Sequence, residues 1–337
     1  MLEKPAIQDE TIIACLQAEY GLRILQIAFL PLGGDLSTAV YRADADDGRP
    51  YFCRLKFGDF DEISVELPNF LSEQGIAQII APIVTTTGRL WATFDEFTII
   101  LYPFITGTSG FDIELTEHQW ANFGAALKQI HSVSVPPALI PKIQQERYSP
   151  EWREICKNAI QRLDNETFDD PVTAGLLDYF RPKRAVFLEL LGHAERLAHT
   201  LAARSPERVL CHSDIHPGNL FIDSSGTLFI VDWDYPVLAP KERDLMFIGG
   251  GQGYVARTAE EEETLFYRNY GPDPIDPVAM AYYRCERNIV DFCVESRRIF
   301  SSTGNARDRA FSLQIITWLF LPGGSIERAY DSLAKLP

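Results

Sequence analysis

Residues Val209–Asp234, VLCHSDIHPGNLFIDSSGTLFIVDWD, set His212, Asp214, Asn219 and Asp232 among strongly apolar runs. Buried without a partner, each such group costs about 1–3 kcal/mol, so something must compensate them. The runs Leu220–Ile222 and Leu228–Val231 read as strands joined by a Ser224-Ser225-Gly226 turn. A hairpin of this kind brings Asp214, Asn219 and Asp232 toward one end, and convergent polar groups suggest a site.

Upstream of this stretch the chain changes character. IQDETIIACLQAEYG has helical spacing and stops at Gly21. Short β-branched and aromatic runs then alternate with Gly33-Gly34 and Asp47-Gly48 turns, as antiparallel strands do. DEISVELPNFLSEQG is helical in pattern, but Pro68 would cost an interior helix about 3 kcal/mol, so a start or a kink is expected there. Two or three more strands lead to Tyr102-Pro103, where a proline should end the sheet. From Leu115 the pattern is helical, opening with a Thr116-x-x-Gln119 capping box and continuing over residues 185–203 and 278–300. The expectation is an α+β, two-lobed chain: a sheet-rich lobe over 1–103 and a mainly helical lobe over 104–337.

Composition narrows the function. The 337 residues exceed what one compact core usually holds. No apolar run approaches the ~20 residues that span a bilayer, and MLEKPAIQDE does not read as a secretion signal, so a cytoplasmic protein is expected. Six dispersed cysteines without a CxxC pair read as reduced thiols. A formal charge of −16 repels a polyphosphate backbone, which argues against nucleic acid. The same field attracts a cationic small molecule, or simply keeps the protein soluble.

His212 and His216 flank Asp214, but no second obvious ligand pair accompanies them, so a transition-metal centre is not favoured. Phosphoryl transfer suits the pattern better. One aspartate accepts the proton of the attacking hydroxyl, while an asparagine five residues later and a further aspartate hold Mg²⁺ against ATP phosphates. His212-x-Asp214-x-x-x-x-Asn219 followed by Asp232 has that spacing, and oxygen ligands suit a hard cation.

HSDIHPGNLFI (212–222) followed by IVDWD (230–234) resembles the aminoglycoside phosphotransferase and choline kinase family, small-molecule kinases with a two-lobed protein-kinase fold. YSPEWREI (148–155) and LAPKERDLMFIGGG (238–251) are similar, more narrowly, to the spectinomycin phosphotransferases, and the resemblance covers nearly the whole chain. It implies that Asp214 is the catalytic base, that Asn219 and Asp232 bind Mg²⁺, and that Tyr102, Pro103, Phe104 and Ile105 form a hinge whose backbone pairs with adenine. The G-x-G-x-x-G, D-F-G and A-P-E signatures of protein kinases are absent. In their place LGGDLSTAV offers Gly33, Gly34, Ser37 and Thr38 to phosphates. The cationic strand residue is Arg54 by resemblance, although Lys56, two residues on, points to the same face. Its helix partner is Glu62 or Glu66, with Glu62 preferred.

Asp234 and Asp291 are further candidates, with Asp214, for binding a cationic substrate. For Asp291 the alternative is an internal pair with Arg284 or Arg287. Gly249-Gly250-Gly251 lacks the Gly-Lys-Ser/Thr ending of a Walker motif and reads as an inter-helix loop. His131 reads as a helix-end residue. The function expected is ATP- and Mg²⁺-dependent phosphorylation of a hydroxyl on an aminocyclitol or aminoglycoside antibiotic, spectinomycin first. The alternatives are a kinase for homoserine, choline or another aminoglycoside, and a non-catalytic nucleotide-binding pseudokinase. A non-catalytic module has no chemical need for all of Asp214, Asn219 and Asp232.

Overall fold

The computed structural model describes residues 4–32, 37–249, 257–301 and 306–336. In chain order it has helix α1 (Asp9–Tyr20), strands β1 (Ile24–Leu30), β2 (Thr38–Ala45) and β3 (Pro50–Phe57), helix α2 (Ile63–Glu73), and strands β4 (Ala92–Phe94), β5 (Phe97–Pro103) and β6 (Gly107–Ser109). Helix α3 (Glu117–Ser132), strand β7 (Gln144–Gln145), helices α4 (Glu151–Asn165), α5 (Pro171–Phe180) and α6 (Arg184–Arg204) and strand β8 (Val209–Cys211) follow. The chain continues with β9 (Leu220–Asp223), β10 (Leu228–Ile230), β11 (Val237–Ala239), α7 (Glu242–Leu245), α8 (Ala259–Tyr270), α9 (Pro277–Phe300), α10 (Ala306–Trp318) and α11 (Ser325–Ala334).

These elements form two compact units. One comprises Met1–Ile113, Val133–Ile143 and Pro217–Pro236; the other comprises Glu114–Ser132, Gln144–His216 and Val237–Pro337. In the first, an antiparallel sheet of order β1-β2-β3-β5-β4 carries α1 on one face. Strand β3 alternates cleanly. Tyr51, Cys53 and Leu55 enter a core with Ile12, Leu16, Tyr41, Ile99 and Leu101, while Phe52, Arg54 and Lys56 take the other face. A side-chain period of two makes this placement unambiguous, because a slip by one residue would bury the cations. Helix α1 ends as the sequence predicts, with Gly21 in the left-handed conformation (φ 67°).

Two expectations need correction. Helix α2 does not start at Pro68; it begins at Ile63 and runs through the proline. Pro68 is buried together with Leu67 and Leu71, and burial of this apolar face offsets the missing backbone bond. The cut at residue 103 also differs from the observed division. Strand β5 does end at Pro103, but β6 follows it and pairs with β9, which draws the distant β9–β10 hairpin into the sheet-rich unit. Gly107 makes this pairing possible, since a Cβ there would lie 2.1 Å from the Ile222 carbonyl oxygen.

In the second unit, α9 is the central helix, packed by α4, α6, α10 and α11. The rings of Phe180, Phe187 and Phe292 pack together in its core with centroids 4.3–5.6 Å apart, Phe180 stacked on Phe292 and Phe187 tilted against both, contacts worth about 0.5–1.5 kcal/mol per pair beyond area burial. The Thr116–Gln119 capping box predicted for α3 is formed in both directions, at 2.9 and 3.2 Å. Among the described residues no helix is long and apolar enough to cross a membrane.

Candidate active site

Along the chain, the stretch 212–222 divides between the two units, with His212–His216 in one and the residues from Pro217 onward in the other. In the helical unit, β8 pairs with β11 and delivers His212, Ser213 and Asp214 at its end. Ser213 adopts φ 74°, a left-handed conformation that costs a non-glycine residue about 1–3 kcal/mol when the surroundings impose it. Asp244, on α7 and fully buried, supplies the restraint: its carboxylate accepts the amides of His212 at 2.8 Å and Ser213 at 2.7 Å. Its Oδ2 also lies 3.1 Å from His131 Nε2, and His131 Nδ1 meets the Tyr270 hydroxyl at 2.8 Å. Burial raises the Asp244 carboxyl, but His131 and the backbone donors outweigh it, and the net displacement is below the ordinary value. His131 is thus a buried helix-end residue that orients Asp244.

Asp214 meets Arg287 of α9 at 2.5 Å, and Arg287 Nε in turn lies 2.8 Å from Asp291 Oδ1. Burial pushes the Asp214 carboxyl up; Arg287 and His216 overcome that, and it stays below the ordinary carboxylate value. For Asp291 burial prevails over Arg287 and the carboxyl is raised. Burial lowers His216 to about 4 despite the neighbouring Asp214, so its imidazole is neutral at physiological pH. Of the two partners considered for Asp291, the pair is made by Arg287. Arg284 instead donates to the Met246 and Ile248 carbonyls and to Ser332 Oγ.

In the sheet-rich unit, Asn219 immediately precedes β9 and Asp232 lies just beyond β10. The Val231 amide donates to the Asn219 carbonyl at 2.9 Å, extending the hairpin ladder so that both residues lie at its open end. Asp232 takes φ 66°. Two oxygen donors at one hairpin end, with Asp232 held in a sparsely populated conformation, fit a hard divalent cation and not a thiol- or imidazole-seeking metal.

Arg54 forms a two-pronged fork with Asp234, Nη1 to Oδ1 at 2.9 Å and Nη2 to Oδ2 at 2.5 Å. Burial opposes the charge of Arg54, but Asp234 outweighs it and Asp232 adds to the effect, so the guanidinium is held firmly protonated. The expected Arg54–Glu62 pair is therefore replaced. Lys142 takes both helix carboxylates, Glu62 at 2.8 Å and Glu66 at 2.7 Å, because Glu62 and Glu66, one turn apart, share a face that a single lysine can reach. Thr38 stands opposite Lys56 across the β2–β3 pair, and the Ser37 carbonyl accepts the Phe57 amide. Gly33 and Gly34 lie outside the described residues, as do Gly250 and Gly251. In the Tyr102–Ile105 segment, the Phe104 amide donates to the Pro50 carbonyl at 3.2 Å, and Arg42 lies over the Phe104 ring at 4.9 Å. That amide is engaged by the backbone of Pro50, where β3 begins.

Sequence reasoning missed Asp244 and Lys142 and the link from Arg287 to Asp214. The i, i+4 spacing of Arg287 and Asp291 was a signal for half of the last; Asp244 and Lys142 had no local one.

The phosphotransferase enzyme family model matches residues 28–278. A solved structure of spectinomycin phosphotransferase APH(9)-Ia, in complex with ADP and spectinomycin, is 36% identical, with a TM-score of 0.89, and the match covers 98% of this chain and 99% of that one. Choline kinase LicA from Streptococcus pneumoniae is 18% identical with a TM-score of 0.57, over 97% and 99% of the two chains, a likeness of fold alone. Protein StrN of Streptomyces griseus is 26% identical over 183 residues, 53% of this chain, and the match spans 57% of the length of that curated relative. The chain belongs to the phosphotransferase enzyme family, and its fold is the two-lobed kinase-like fold of that family.

Proposed function

We propose that the chain transfers the γ-phosphoryl group of ATP to a hydroxyl of an aminocyclitol antibiotic, spectinomycin first. The observation that carries this reading is the likeness over nearly the full length to a phosphotransferase whose structure holds ADP and spectinomycin, together with the intact Asp214, Asn219 and Asp232. Asp214 takes the proton of the acceptor hydroxyl as its oxygen bonds to the γ-phosphorus and the bond from that phosphorus to the β,γ-bridging oxygen breaks, releasing ADP. Held ionised beside Arg287, it is in the protonation state a base requires.

Asn219 and Asp232 would hold Mg²⁺, which offsets the charge on the phosphates. Arg54, fixed by Asp234, supplies a cation to the nucleotide, with Lys56 on the same strand face. Ser37 and Thr38, where β2 begins, would face the phosphates, as Gly33 and Gly34 would by resemblance of sequence alone; Glu62 stands at the start of α2, and Tyr102, Pro103, Phe104 and Ile105 would form the adenine-facing hinge. The net charge of −16 favours approach of a cationic acceptor. Asp214, Asp234 and Asp291 are the carboxylates first considered for its amines. Each of the three faces an arginine, Asp234 facing Arg54 and Asp214 and Asp291 both facing Arg287, so their contribution to an ammonium group is reduced. The six cysteines are buried and free of disulfides, which supports a cytoplasmic setting.

The test is Asp214→Asn, which keeps side-chain size and removes the base. Phosphoryl transfer to spectinomycin should fall by about 10²–10⁴-fold, with nucleotide binding by calorimetry preserved. Near-normal turnover in this variant would remove Asp214 from the role.

A further inference from the structure

Arg287 reaches Asp214 from 73 residues away in sequence, and two contacts on the helical unit brace it. Its Nε lies 2.9 Å from Asp291 Oδ2, one turn further along α9, a pairing that helical geometry alone favours. Its guanidinium carbon stands 5.1 Å from the centroid of the Phe247 ring, just beyond α7. Its Nη1 donates to Asp214 Oδ1 at 2.5 Å. A guanidinium is planar and rigid, so locking Nε to Asp291 and one side against a ring fixes where Nη1 points. We propose that Arg287 is a positioning residue for phosphoryl transfer: braced by Asp291 and Phe247, it holds the Asp214 carboxylate in one orientation. Asp291 then serves as the counterweight that sets the strength of this clamp, and is not a ligand for the substrate's amine.

The proposal rests on the reading of Asp214 as base. The charged and titratable groups around the clamp are Arg287 and Asp291 on α9, Arg243 on α7, which acts on Asp291, and His212 and His216 on the loop that carries Asp214. Above about pH 4 His216 is neutral and Arg287 supplies the positive charge in contact with Asp214; at more acid pH His216 adds a second, which is common to the parent and every variant compared below. Removing Arg287 must therefore raise the Asp214 carboxyl, whereas neutralising Asp291 must lower it, because the whole of the arginine's charge then acts on Asp214. Opposite displacements from two substitutions on one helix are a signature that loss of packing does not produce.

Steady-state kinetics against pH, with ATP and spectinomycin, should be measured for the unsubstituted protein, Arg287→Met, Arg287→Lys and Asp291→Asn. For Arg287→Met the expected result is a kcat lower by about 10–100-fold, an acid limb of the kcat profile moved up by about one pH unit, and a KM for ATP within about twofold. Arg287→Lys should recover part of kcat, as a cation without the fork, and Asp291→Asn should move the acid limb down. Acid limbs that coincide, or that move the same way in Arg287→Met and Asp291→Asn, would overturn the proposal. So would a rise in the KM for spectinomycin with kcat unchanged, which would make the two residues substrate ligands. If Arg287→Met does not fold, the direction seen in Asp291→Asn and the kcat of Arg287→Lys decide. Loss of turnover in Asp214→Asn with no displacement in these variants refutes the clamp alone; retained turnover in Asp214→Asn refutes the base and the clamp with it.

Discussion

Asp244→Asn removes one charge and almost no volume from a fully buried position, so its effect isolates the anchoring of the catalytic loop. Both carboxylate oxygens are committed: Oδ1 to the Ser213 amide, Oδ2 to the His212 amide and His131 Nε2. An asparagine offers only one acceptor, so its amide nitrogen must face a backbone donor whichever way it turns. One hydrogen bond to a charged group is lost, worth about 1.5–3 kcal/mol, and a buried N–H is left opposed to another donor. The variant should be less stable by about 2–4 kcal/mol in urea unfolding followed by tryptophan fluorescence. With Ser213 no longer held at φ 74°, Asp214 loses its fixed position, and kcat should fall by about 10–100-fold, since displacement by about 1 Å costs on that order. The pH dependence has a definite sign. The Asp244 carboxyl is lowered on folding, so its stabilisation is present above its unfolded value of about 3.9 and is lost as pH falls through the folded value. The stability gap between the parent protein and the Asp244→Asn variant should therefore be widest near neutrality and close in acid. Stability within about 0.5 kcal/mol of the parent at pH 7, with kcat unchanged, would refute the anchoring argument.

Asn219→Ala and Asp232→Ala should each weaken nucleotide binding by at least about 10-fold in calorimetry with Mg²⁺ and much less after chelation; zinc, and not magnesium, restoring activity to stripped protein would contradict the oxygen-ligand reading. Arg54→Ala should lower transfer more than Lys56→Ala, and the reverse order would give the phosphate contact to Lys56. Arg54→Ala and Asp234→Ala should be non-additive by about 0.5–3 kcal/mol in a double-mutant cycle read by the ATP dependence of turnover, because the fork is lost once whichever partner is removed; strict additivity would show that the pair does not position Arg54.

What the sequence disclosed was local. Asp214, Asn219 and Asp232 fall within one continuous stretch, and the turn and strands between them follow from neighbouring residues; Asp223 accepts the Ser225 and Thr227 amides, which shapes the turn beside Gly226. The capping box at Thr116 and the stop at Gly21 were legible for the same reason. Partner choice among long charged side chains was not. Arg54 and Asp234 are 180 residues apart, Arg287 and Asp214 are 73, and Lys142 is 80 from Glu62. An arginine two strands away and a carboxylate on the same helix look equally suitable until packing selects one. The division of the chain was hidden similarly, since β6, three residues long, gives no periodic signal of its pairing with β9. Pro68 shows the opposite case, where a strong local rule yields to burial of the helix face that contains it.

The central claim is that this phosphotransferase acts on an amine-bearing cyclitol. ATP turnover should be measured with spectinomycin, choline, homoserine and other aminoglycosides each as sole acceptor, with the phosphorylated product identified by mass spectrometry. The account predicts phosphorylated spectinomycin at a kcat/KM at least ~10-fold above that of choline or homoserine, a difference of about 1.4 kcal/mol in transition-state stabilisation. Absence of phosphorylated spectinomycin, with another amino alcohol phosphorylated efficiently, would contradict the substrate while leaving the kinase fold in place.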